Sequence, residues 1–379
     1  MTIYLDSAAT TLQKPPSVAR AVASAIDHMA SPGRGGHRPA MRAAETVFAC
    51  RQAAAELFHV EDPENVVFTM NATHALNLAI KSLVRPGDTV VVSGYEHNAV
   101  TRPLASLGCQ IKVARGPLFE SQAILAAFEE QITDEVRCVI CTHVSNVFGY
   151  ILPMVEIAGL CRRRGVPLIL DASQSAGAVE VNMETLGAAF IAMPGHKGLY
   201  GPQGTGILLC GPGQRVEPLL EGGTGSLSAL QQMPDFLPDR LEAGTHNVCG
   251  IAGLLEGIRF VRARGEGSIL RHERALTARA VRGLSRLPGV AVFASRELCH
   301  QAGVVSFRVE GMDCEEVGER LGRKGIAVRA GLHCAPYAHE SAGTLETGTV
   351  RASFSAFNTP LEVDRLIQEL NQIVSGRSR

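Results

Sequence analysis

One lysine stands out for its setting. Lys197 lies in AFIAMPGHKGLYGPQGTG, where a β-rich run leads into a glycine-containing turn, a His-Lys pair and a second glycine-rich turn. A lysine between buried strands loses its proton more readily, because burial disfavours the ammonium, and the neutral amine can attack an aldehyde. An exposed lysine is the ordinary alternative, and the glycines at 201–206 suit a hairpin turn equally well.

Other polar residues follow predicted strands at the point where each strand ends. Thr73 and His74 come after VVFTM and begin a predicted helix. Free N–H groups and the helix dipole favour a phosphate there, although a simple helix cap is the alternative. His97 follows VVVSG, and Asn146 follows CVICTHV.

Asp171 ends the apolar run VPLIL, and Gln174 lies three residues further on. A carboxylate at the end of a buried strand is costly unless a cation or donor meets it. A pyridinium nitrogen meets that need, since an ionised Asp keeps such a ring protonated and electron-withdrawing. A helix cap and a metal ligand are the alternatives. The ordered series of His97, Asp171, Gln174, His196 and Lys197 at successive strand ends argues against coincidence.

The middle of the chain alternates β-rich runs with helical patterns. The predicted strands are Asn65–Met70, Thr89–Ser93, Arg137–Thr142, Pro167–Asp171, Ala188–Met193 and Gly206–Leu209. The predicted helices are Thr73–Val84, Asn98–Leu107, Leu118–Gln131 and Pro153–Arg164. Strands without strict alternation, separated by amphipathic helices, indicate a mostly parallel sheet covered on both faces. Ligands of such sheets bind beyond the carboxyl ends of the strands.

The pattern changes after about Gly250 and becomes helix-rich. Further strands are predicted at Val290–Phe293, Gly303–Val309, Ile326–Arg329 and Thr349–Ser355, with helices at Asp313–Lys324 and Pro360–Val374. We therefore predict a large α/β domain over residues 15–250. A smaller α+β domain is expected from residues 1–14 together with 251–379.

Composition and charge narrow the class of protein. The 379 residues are 46% hydrophobic and 19% charged, which fits a globular protein. The formal net charge of -1 gives no electrostatic case for nucleic acid or an anionic membrane. No apolar run reaches the length of a membrane span, and MTIYLDSAATT lacks the features of a signal peptide. We expect a cytoplasmic protein.

The ten cysteines are scattered, which does not resemble a disulfide scaffold. Cys138 and Cys141 have C-x-x-C spacing, which also occurs in metal and redox sites. However, RCVICTHV is a predicted strand, where positions three apart point to opposite faces. Because no second C-x-x-C pair exists to complete a zinc site, we predict no metal site.

Motifs in a fixed order along nearly the whole chain resemble those of a known family. They are LDSAATT, NATHALN, YEHNAV, HVSNVFG, LDASQSAG, GHKGLYGPQG, EAGTHN, VRAGLHCAP and VRASFSAFNT. The chain resembles the cysteine desulfurase and selenocysteine lyase branch of the class V aminotransferase superfamily. The resemblance implies an α/β fold of the fold-type I pyridoxal-phosphate (PLP) class, with a mostly parallel, seven-stranded-type sheet in the large domain.

The resemblance also implies roles for the residues that match. Lys197 would form a Schiff base with PLP and move protons. Asp171 would pair with the pyridine nitrogen, and Gln174 would bond the ring oxygen. His97 would stack on the ring and assist proton transfer.

At the phosphate end, the resemblance implies contacts from Thr73, His74 and His196. Thr245 would join them from the second subunit of a homodimer. One position departs from the family: Pro194 stands where a hydroxyl residue usually helps to hold the phosphate. Proline offers neither a side-chain donor nor a backbone N–H.

At the substrate end, the resemblance implies that Asn146 and Arg351 bind the substrate carboxylate, with Arg329 and His37 nearby. The substrate would be L-cysteine or L-selenocysteine. A separate protein that accepts the persulfide is a further implied partner.

Cys334, in RAGLHCAP, aligns with the nucleophile that takes sulfur from the substrate. Arg329 and His333 are polar neighbours that would favour its thiolate. Leu332 departs from the family, where many close relatives carry a second histidine.

The sequence therefore predicts a cysteine desulfurase that converts L-cysteine to L-alanine and carries the sulfur as a persulfide on Cys334. Selenocysteine lyase and a transaminase of the same fold are rival functions. A PLP-binding regulatory or scaffold protein without catalysis is a third, against which the full set of cofactor residues counts.

Overall fold

The structure is a computed structural model that describes residues 2–33 and 35–376. Its strands are β1 (Ile3–Tyr4), β2 (Val66–Thr69), β3 (Thr89–Ser93), β4 (Gln110–Ala114), β5 (Val136–Thr142), β6 (Leu168–Asp171), β7 (Phe190–Pro194), β8 (Gly206–Cys210), β9 (Val290–Phe293), β10 (Val304–Val309), β11 (Ile326–Ala327), β12 (Arg329–Gly331) and β13 (Thr349–Ser353). Its α-helices are α1 (Pro16–His28), α2 (Arg38–Phe58), α3 (Ala72–Leu83), α4 (Asn98–Ser106), α5 (Ser121–Gln131), α6 (Met154–Arg164), α7 (Met183–Leu186), α8 (Val248–Arg264), α9 (Glu266–Leu284), α10 (Cys314–Arg323), α11 (Pro336–Ser341) and α12 (Pro360–Ser375). Two short 3-10 helices lie at Pro63–Asn65 and Leu298–His300.

The central sheet has seven strands in the order β2-β8-β7-β6-β5-β3-β4. The four pairings among β3 to β7 are parallel, and β8 runs antiparallel to β2 and β7. Helices cover both faces, which explains why the inner strands are continuously apolar rather than alternating. The predicted α/β fold with a mostly parallel seven-stranded sheet is confirmed.

The two faces of this sheet belong to different hydrophobic clusters. Cys138 packs on one face with Val90, and Cys141 packs on the other with Val91. The predicted alternation along β5 therefore separates the two sulfurs. Both thiols are free and buried, and burial raises the pKa of each.

Two smaller sheets are formed by β1 and the strands from β9 onward. One has four strands in the order β12-β13-β10-β9, and the other pairs β1 with β11. The single strand predicted at Ile326–Arg329 is wrong in one respect, because the chain changes sheets at Val328. β11 pairs in parallel with β1, whereas β12 pairs antiparallel with β13.

Most predicted elements end within a few residues of the observed ones, but several observed elements were not predicted, namely β1, α1, α2, β4, α7 and α11. β4 is an edge strand that is mostly half-buried, and α2 is a long helix rich in alanine. The division into residues 15–250 and residues 1–14 with 251–379 stays a prediction. α8, which begins at Val248, packs against α1 and α2. None of the helices in the described residues is long and apolar enough to cross a membrane.

Candidate active site

A cavity of about 190 Å³ opens at the carboxyl ends of β5, β6 and β7. Its lining comprises Ala9, Asn71, Ala72, Thr73, His97, Ala99, Thr142, Asn146, Asp171, Ser173, Gln174, Pro194, His196 and Lys197. Seven of the residues predicted from the sequence line this one cavity: Thr73, His97, Asn146, Asp171, Gln174, His196 and Lys197.

Lys197 lies in the turn that follows β7. A side chain at Gly198 would place a Cβ 2.3 Å from the carbonyl oxygen of Ala176, so this turn packs directly against the segment after β6. The Thr11 hydroxyl donates to the carbonyl oxygen of Lys197 at 3.3 Å. Burial lowers the pKa of Lys197 to about 8, although the negative charge of Asp171 opposes the shift. The amine is therefore neutral in a larger fraction of molecules than an ordinary lysine.

Asp171 is the last residue of β6 and is 2% exposed. Its Oδ1 accepts a hydrogen bond from the amide of Ser173 at 2.9 Å. A buried carboxylate on the wall of a cavity is stabilised by a cation or a strong donor within that cavity. The chemistry of this position thus fits a protonated pyridine nitrogen.

His97 caps α4 and lines the same cavity. Its Nδ1 accepts a hydrogen bond from the amide of Ala99 at 3.0 Å, which leaves the ring proton on Nε2 in the neutral form. Burial lowers the pKa of His97, and Asp171 opposes that shift. A neutral, fixed imidazole is suited to stacking on a flat ring.

The amino end of α3 forms another part of the wall. Asn71 caps this helix by accepting a hydrogen bond from the amide of His74 at 2.9 Å, and Ala72 and Thr73 face the cavity. His196 lines the same cavity, and burial lowers its pKa to about 4. Free amides at a helix start beside a neutral imidazole can hold a phosphate.

Two predicted phosphate contacts lie elsewhere. His74 and Thr245 line a second cavity of about 220 Å³, together with Glu242 and His246. The Nδ1 of His74 accepts a hydrogen bond from the amide of Met70 at 3.4 Å. Within a single chain, neither residue joins Thr73 and His196.

The loop that carries Thr245 is held in place by the contacts of Glu242. Glu242 forms a buried ion pair with Arg51 at 2.8 Å and accepts a hydrogen bond from the amide of Phe68 at 2.6 Å. The Nε2 of His246 lies 2.6 Å from Glu242. Thr245 itself is exposed, so it extends outward from a fixed base.

The two arginines predicted for the substrate end, Arg329 and Arg351, are not among the residues that line the cavity around Lys197. The Nη1 of Arg351 donates to the carbonyl oxygen of Asn146 at 2.9 Å, and its Nη2 donates to Oδ1 of Asp6 at 2.9 Å. Arg329 donates to the same carboxylate, with Nη2 2.9 Å from Oδ2. His37 caps α2 on the protein surface and does not line the cavity.

Asp6 was not predicted as a functional residue, although it belongs to the LDSAATT motif that carries the resemblance. Its partners lie more than 320 residues away in sequence, with separations of 323 and 345 residues. Only the tertiary structure brings them together.

Cys334 is exposed on the short loop between β12 and α11. Both His333 and Cys334 have positive φ angles, 49° and 56°. The carbonyl oxygen of Cys334 accepts a hydrogen bond from the amide of Asn98 at 2.7 Å. The carbonyl oxygen of His333 accepts one from Nδ2 of Asn146 at 2.8 Å. The loop is therefore bonded to Asn146, which lines the cavity, and to Asn98, which lies between the lining residues His97 and Ala99, and the thiol side chain remains exposed.

One expectation about Cys334 is wrong. His333 is buried with its Nε2 3.1 Å from the carbonyl oxygen of Thr349, and burial lowers its pKa to about 2. A neutral imidazole cannot favour the thiolate through charge. The nearby cation is Arg329, whose pKa is raised mainly by its hydrogen bonds to Asp6 and also by Cys334.

Sequence reasoning also missed Glu96, which directly precedes His97. Its fully buried carboxyl accepts hydrogen bonds from Ser93 Oγ and from the amide of Thr142, the latter at 2.7 Å. Burial raises the pKa of Glu96 to about 8, so the group is protonated at neutral pH. Glu96 thus joins the end of β3 to the end of β5 beneath the cavity.

The cavity fits pyridoxal phosphate. Asn146 Oδ1 and His196 Nδ1 are buried on residues that line it, and they have no hydrogen-bond partner among the described residues. Unmet hydrogen-bonding capacity of this kind indicates a polar ligand. The buried Asp171, the neutral His97 and the amine of Lys197 have the chemistry that the pyridine nitrogen, the ring face and the aldehyde of this cofactor would require.

Comparisons with known proteins agree with this geometry. Residues 3–366 match the family described as aminotransferase class-V. The chain is 33% identical over 385 residues to a probable cysteine desulfurase of Methanothermobacter thermautotrophicus, covering 98% of this chain and 94% of that protein. It resembles the apo structure of a cysteine desulfurase from Thermococcus onnurineus NA1, with a TM-score of 0.90, 34% identity, and coverage of 99% and 95% of the two chains. It also resembles the cysteine desulfurase CsdA (S-sulfonic acid) from Escherichia coli, with a TM-score of 0.85, 26% identity, and coverage of 99% and 95%.

Proposed function

The chain belongs to the class V aminotransferase family, and from this premise we propose that it is a PLP-dependent cysteine desulfurase. It converts L-cysteine to L-alanine and takes the sulfur onto Cys334. The observation that carries the proposal is the position of this thiol, exposed on a loop that is hydrogen-bonded to Asn146 in the cavity lining and to Asn98 at the start of α4. A plain transaminase has no use for a thiol at that place.

The cofactor-holding set follows from the cavity lining. PLP supplies the electron sink that acidifies the Cα proton of a bound amino acid and permits cleavage at its β-carbon. Asp171 would hold the pyridine nitrogen, His97 would pack on the ring, and Gln174 would bond the ring oxygen. Thr73 and His196 would hold the phosphate.

Lys197 would hold the cofactor covalently, and its amine would move the proton. Its lowered pKa of about 8 makes the free amine available near neutral pH, both as nucleophile and as base. Nζ removes a proton from the substrate and returns it later in the reaction. Among the described residues, Lys197 is the lysine that lines this cavity.

Arg351 and Asn146 orient the substrate. A guanidinium that is 2% exposed provides a strong, directional partner for the α-carboxylate. This fixes the amino group towards Lys197 and the side-chain sulfur towards the Cys334 loop.

Cys334 accepts the sulfur as a persulfide. Its thiolate attacks the substrate sulfur, an S–S bond forms, and the C–S bond of the substrate breaks with its electron pair returned to the carbon fragment. Protonation of that fragment gives L-alanine. A thiol reductant or an acceptor thiol then releases the outer sulfur.

The proposed enzyme is a homodimer whose sites are completed across the interface. Thr245 is exposed and lies outside the cavity of its own chain, which supports a role at the phosphate of the second subunit. Two large apolar residues that line the same region as Thr245, Met70 and Leu220, are 56% and 57% exposed. Exposed apolar surface of this kind is typical of a protein interface.

Further partners follow from the exposed thiol. A persulfide-accepting protein can reach Cys334 directly, and the proposed location is the cytoplasm, where the free cysteines stay reduced. L-Selenocysteine remains a candidate second substrate.

The proposal is tested by adding L-cysteine and dithiothreitol to PLP-loaded protein and measuring alanine and sulfide. We expect equal amounts of both products over many turnovers. Lys197→Ala should give neither. PLP-loaded protein that forms pyruvate, or converts the cofactor to its pyridoxamine form without sulfide, would instead be a lyase or a transaminase.

A further inference from the structure

We propose that Asp6 is a positioning residue that prepares Arg351 and Arg329 for the substrate carboxylate. The inference rests on the proposed function only for the identity of the amino acid substrate. Asp6 Oδ1 lies 2.9 Å from Nη2 of Arg351, and Oδ2 lies 2.9 Å from Nη2 of Arg329. One carboxylate therefore joins two guanidinium groups from neighbouring strands.

The backbone fixes Asp6 independently of the arginines. The amide of Leu5 donates to the carbonyl oxygen of Ala327 at 2.9 Å, and the amide of Ser353 donates to the carbonyl oxygen of Leu5 at 2.8 Å. Asp6 itself bridges to Ser353 and is 8% exposed. Because its main chain is held between β11 and β13, the carboxylate orients the arginines rather than following them.

Charge balance explains why a carboxylate stands beside an anion-binding arginine. The two guanidinium groups bound to one carboxylate repel each other, and Arg329, whose side chain is 50% exposed, would turn into solvent without that partner. Two positive charges and the single negative charge of Asp6 leave a net charge of one positive unit. One substrate carboxylate neutralises this remainder.

The hydrogen bonds of Arg351 also support a positioning role for Asp6. Arg351 Nε and Asn146 Oδ1 are buried and have no partner among the residues that the structure describes. Asp6 occupies Nη2 of Arg351, and the carbonyl oxygen of Asn146 occupies Nη1. The arginine is thus held in place by both contacts while retaining an unused donor.

The test compares ligands with and without a carboxylate. PLP-loaded wild-type and Asp6→Asn proteins are titrated with L-alanine and with L-alaninamide, and dissociation constants are measured from the cofactor absorption. We expect the preference for L-alanine over the amide to fall by about tenfold or more in Asp6→Asn, which corresponds to losing one charge-assisted hydrogen bond. The affinity for the amide should change little.

Matched variants separate positioning from stability. Asp364→Asn removes an exposed partner of Arg279, 2.5 Å away, and should leave the preference unchanged. Asp6→Glu keeps the charge and should recover part of the preference. If Asp6→Asn does not fold, Asp6→Ser removes the charge without adding bulk, and the same titration applies.

Three outcomes would overturn the inference: equal losses for both ligands, an unchanged preference, or a stronger preference for L-alanine. Equal losses for both ligands would mean that Asp6 has only a structural role. A stronger preference for L-alanine would mean that Asp6 competes with the substrate carboxylate for the arginines. The titration requires no desulfuration. A wild-type protein that binds L-alanine through its carboxylate but releases no sulfide from L-cysteine therefore contradicts the proposed function without touching Asp6.

Discussion

The amide of Asn98 donates a 2.7 Å hydrogen bond to the carbonyl oxygen of Cys334. Asn98 is the first residue of α4, and His97 caps that helix. The group proposed to pack on the cofactor and the thiol proposed to take the sulfur are therefore linked by one backbone contact. The positive φ of Cys334, 56°, is retained against an intrinsic cost of about 1–2 kcal/mol, which indicates a loop shaped by its surroundings.

The first prediction concerns the pH dependence of cofactor capture. Only the neutral amine of Lys197 attacks the aldehyde of PLP, and burial lowers its pKa to about 8. The rate of covalent capture by apoprotein should rise as pH increases towards 8 and then level off. Stopped-flow absorbance measures this rate, and borohydride reduction followed by peptide mass spectrometry should locate the cofactor on Lys197.

A rate that keeps rising to about pH 10, as for an ordinary lysine, would show that Lys197 is not poised by burial. Attachment of PLP to Lys14 would contradict the assignment of Lys197. Lys14 is the alternative to check, because burial also lowers the pKa of its amine to about 8. Lys197→Ala serves as the control and should capture no cofactor covalently.

The second prediction concerns the phosphate end. Pro194 ends β7 and lines the cavity without an N–H or a hydroxyl to offer. Pro194→Ser should tighten PLP binding by roughly tenfold or more, since a charge-assisted hydrogen bond contributes about 1.5–3 kcal/mol. Fluorescence titration of apoprotein gives the dissociation constant.

Pro194→Ala is the matched control, because it removes the ring without adding a hydroxyl. If both variants bind PLP equally, the hydroxyl contributes nothing. Thr73→Ala should weaken binding, and a Thr73→Ala protein that holds PLP as firmly as the wild type contradicts the assignment of this helix start.

The third prediction concerns the shared site. Lys197→Ala and Thr245→Ala chains should each be strongly impaired, and mixing them under conditions that exchange subunits should restore part of the activity. Each mixed dimer has one site with both residues intact. A fully active monomer in sedimentation experiments would rule out this arrangement.

The sequence predicted more of the residues that line the cavity than of the residues that hold them in place. Strand ends are readable from apolar runs, so seven cavity residues were identified before their positions were known. Thr73 and His74 show the limit of such reasoning. Neighbours on a helix point about 100° apart, and the structure accordingly assigns them to different cavities.

Asp6 and Glu96 escaped prediction for different reasons. The partners of Asp6, Arg329 and Arg351, are remote in sequence, so no local sequence pattern indicates these contacts. Glu96 lies next to His97, but its carboxyl turns into the core, where charged residues are rarely expected without a partner. The charge state of His333 also depended on burial that the sequence did not reveal.

The fourth prediction concerns Glu96 and stability. Its folded-state pKa of about 8 lies above the value of the unfolded chain, so its contribution to stability is fully present at acidic pH and is lost as pH rises towards 8. Glu96→Gln keeps a neutral side chain of the same shape. The variant should therefore gain stability relative to the wild type between about pH 4.5 and pH 8.

Denaturant unfolding at pH 5 and pH 9 measures this difference. Glu96→Ala leaves the buried amide of Thr142 without an acceptor, and should lower the free energy of unfolding by about 1–3 kcal/mol or more. Parallel pH profiles for wild type and Glu96→Gln would mean that the carboxyl does not change protonation on folding.

The final prediction concerns Cys334. Cys334→Ala should abolish alanine release from L-cysteine while leaving PLP binding intact, because Cys334 does not line the cofactor cavity. The thiolate of cysteine is a poor leaving group and requires a nucleophile to take the sulfur. A selenol is softer and more acidic, so the variant should keep much of its activity on L-selenocysteine. Alanine release from each amino acid is the measurement.

Cys299→Ala is the matched control, since Cys299 is the other exposed thiol among the described residues. Its sulfur lies 3.7 Å from Glu297, within a surface group completed by His300, and its replacement should leave both activities unchanged. Brief exposure of the wild type to L-cysteine should add one sulfur atom to Cys334, seen by mass spectrometry. If the extra sulfur is found on Cys299, Cys334 is not the sulfur acceptor. The same conclusion follows if Cys334→Ala desulfurates cysteine at the wild-type rate. A lyase that expels sulfide directly would then account for the cavity. It would not account for the exposed loop, because nothing in that reaction requires the backbone hydrogen bond between Asn98 and Cys334.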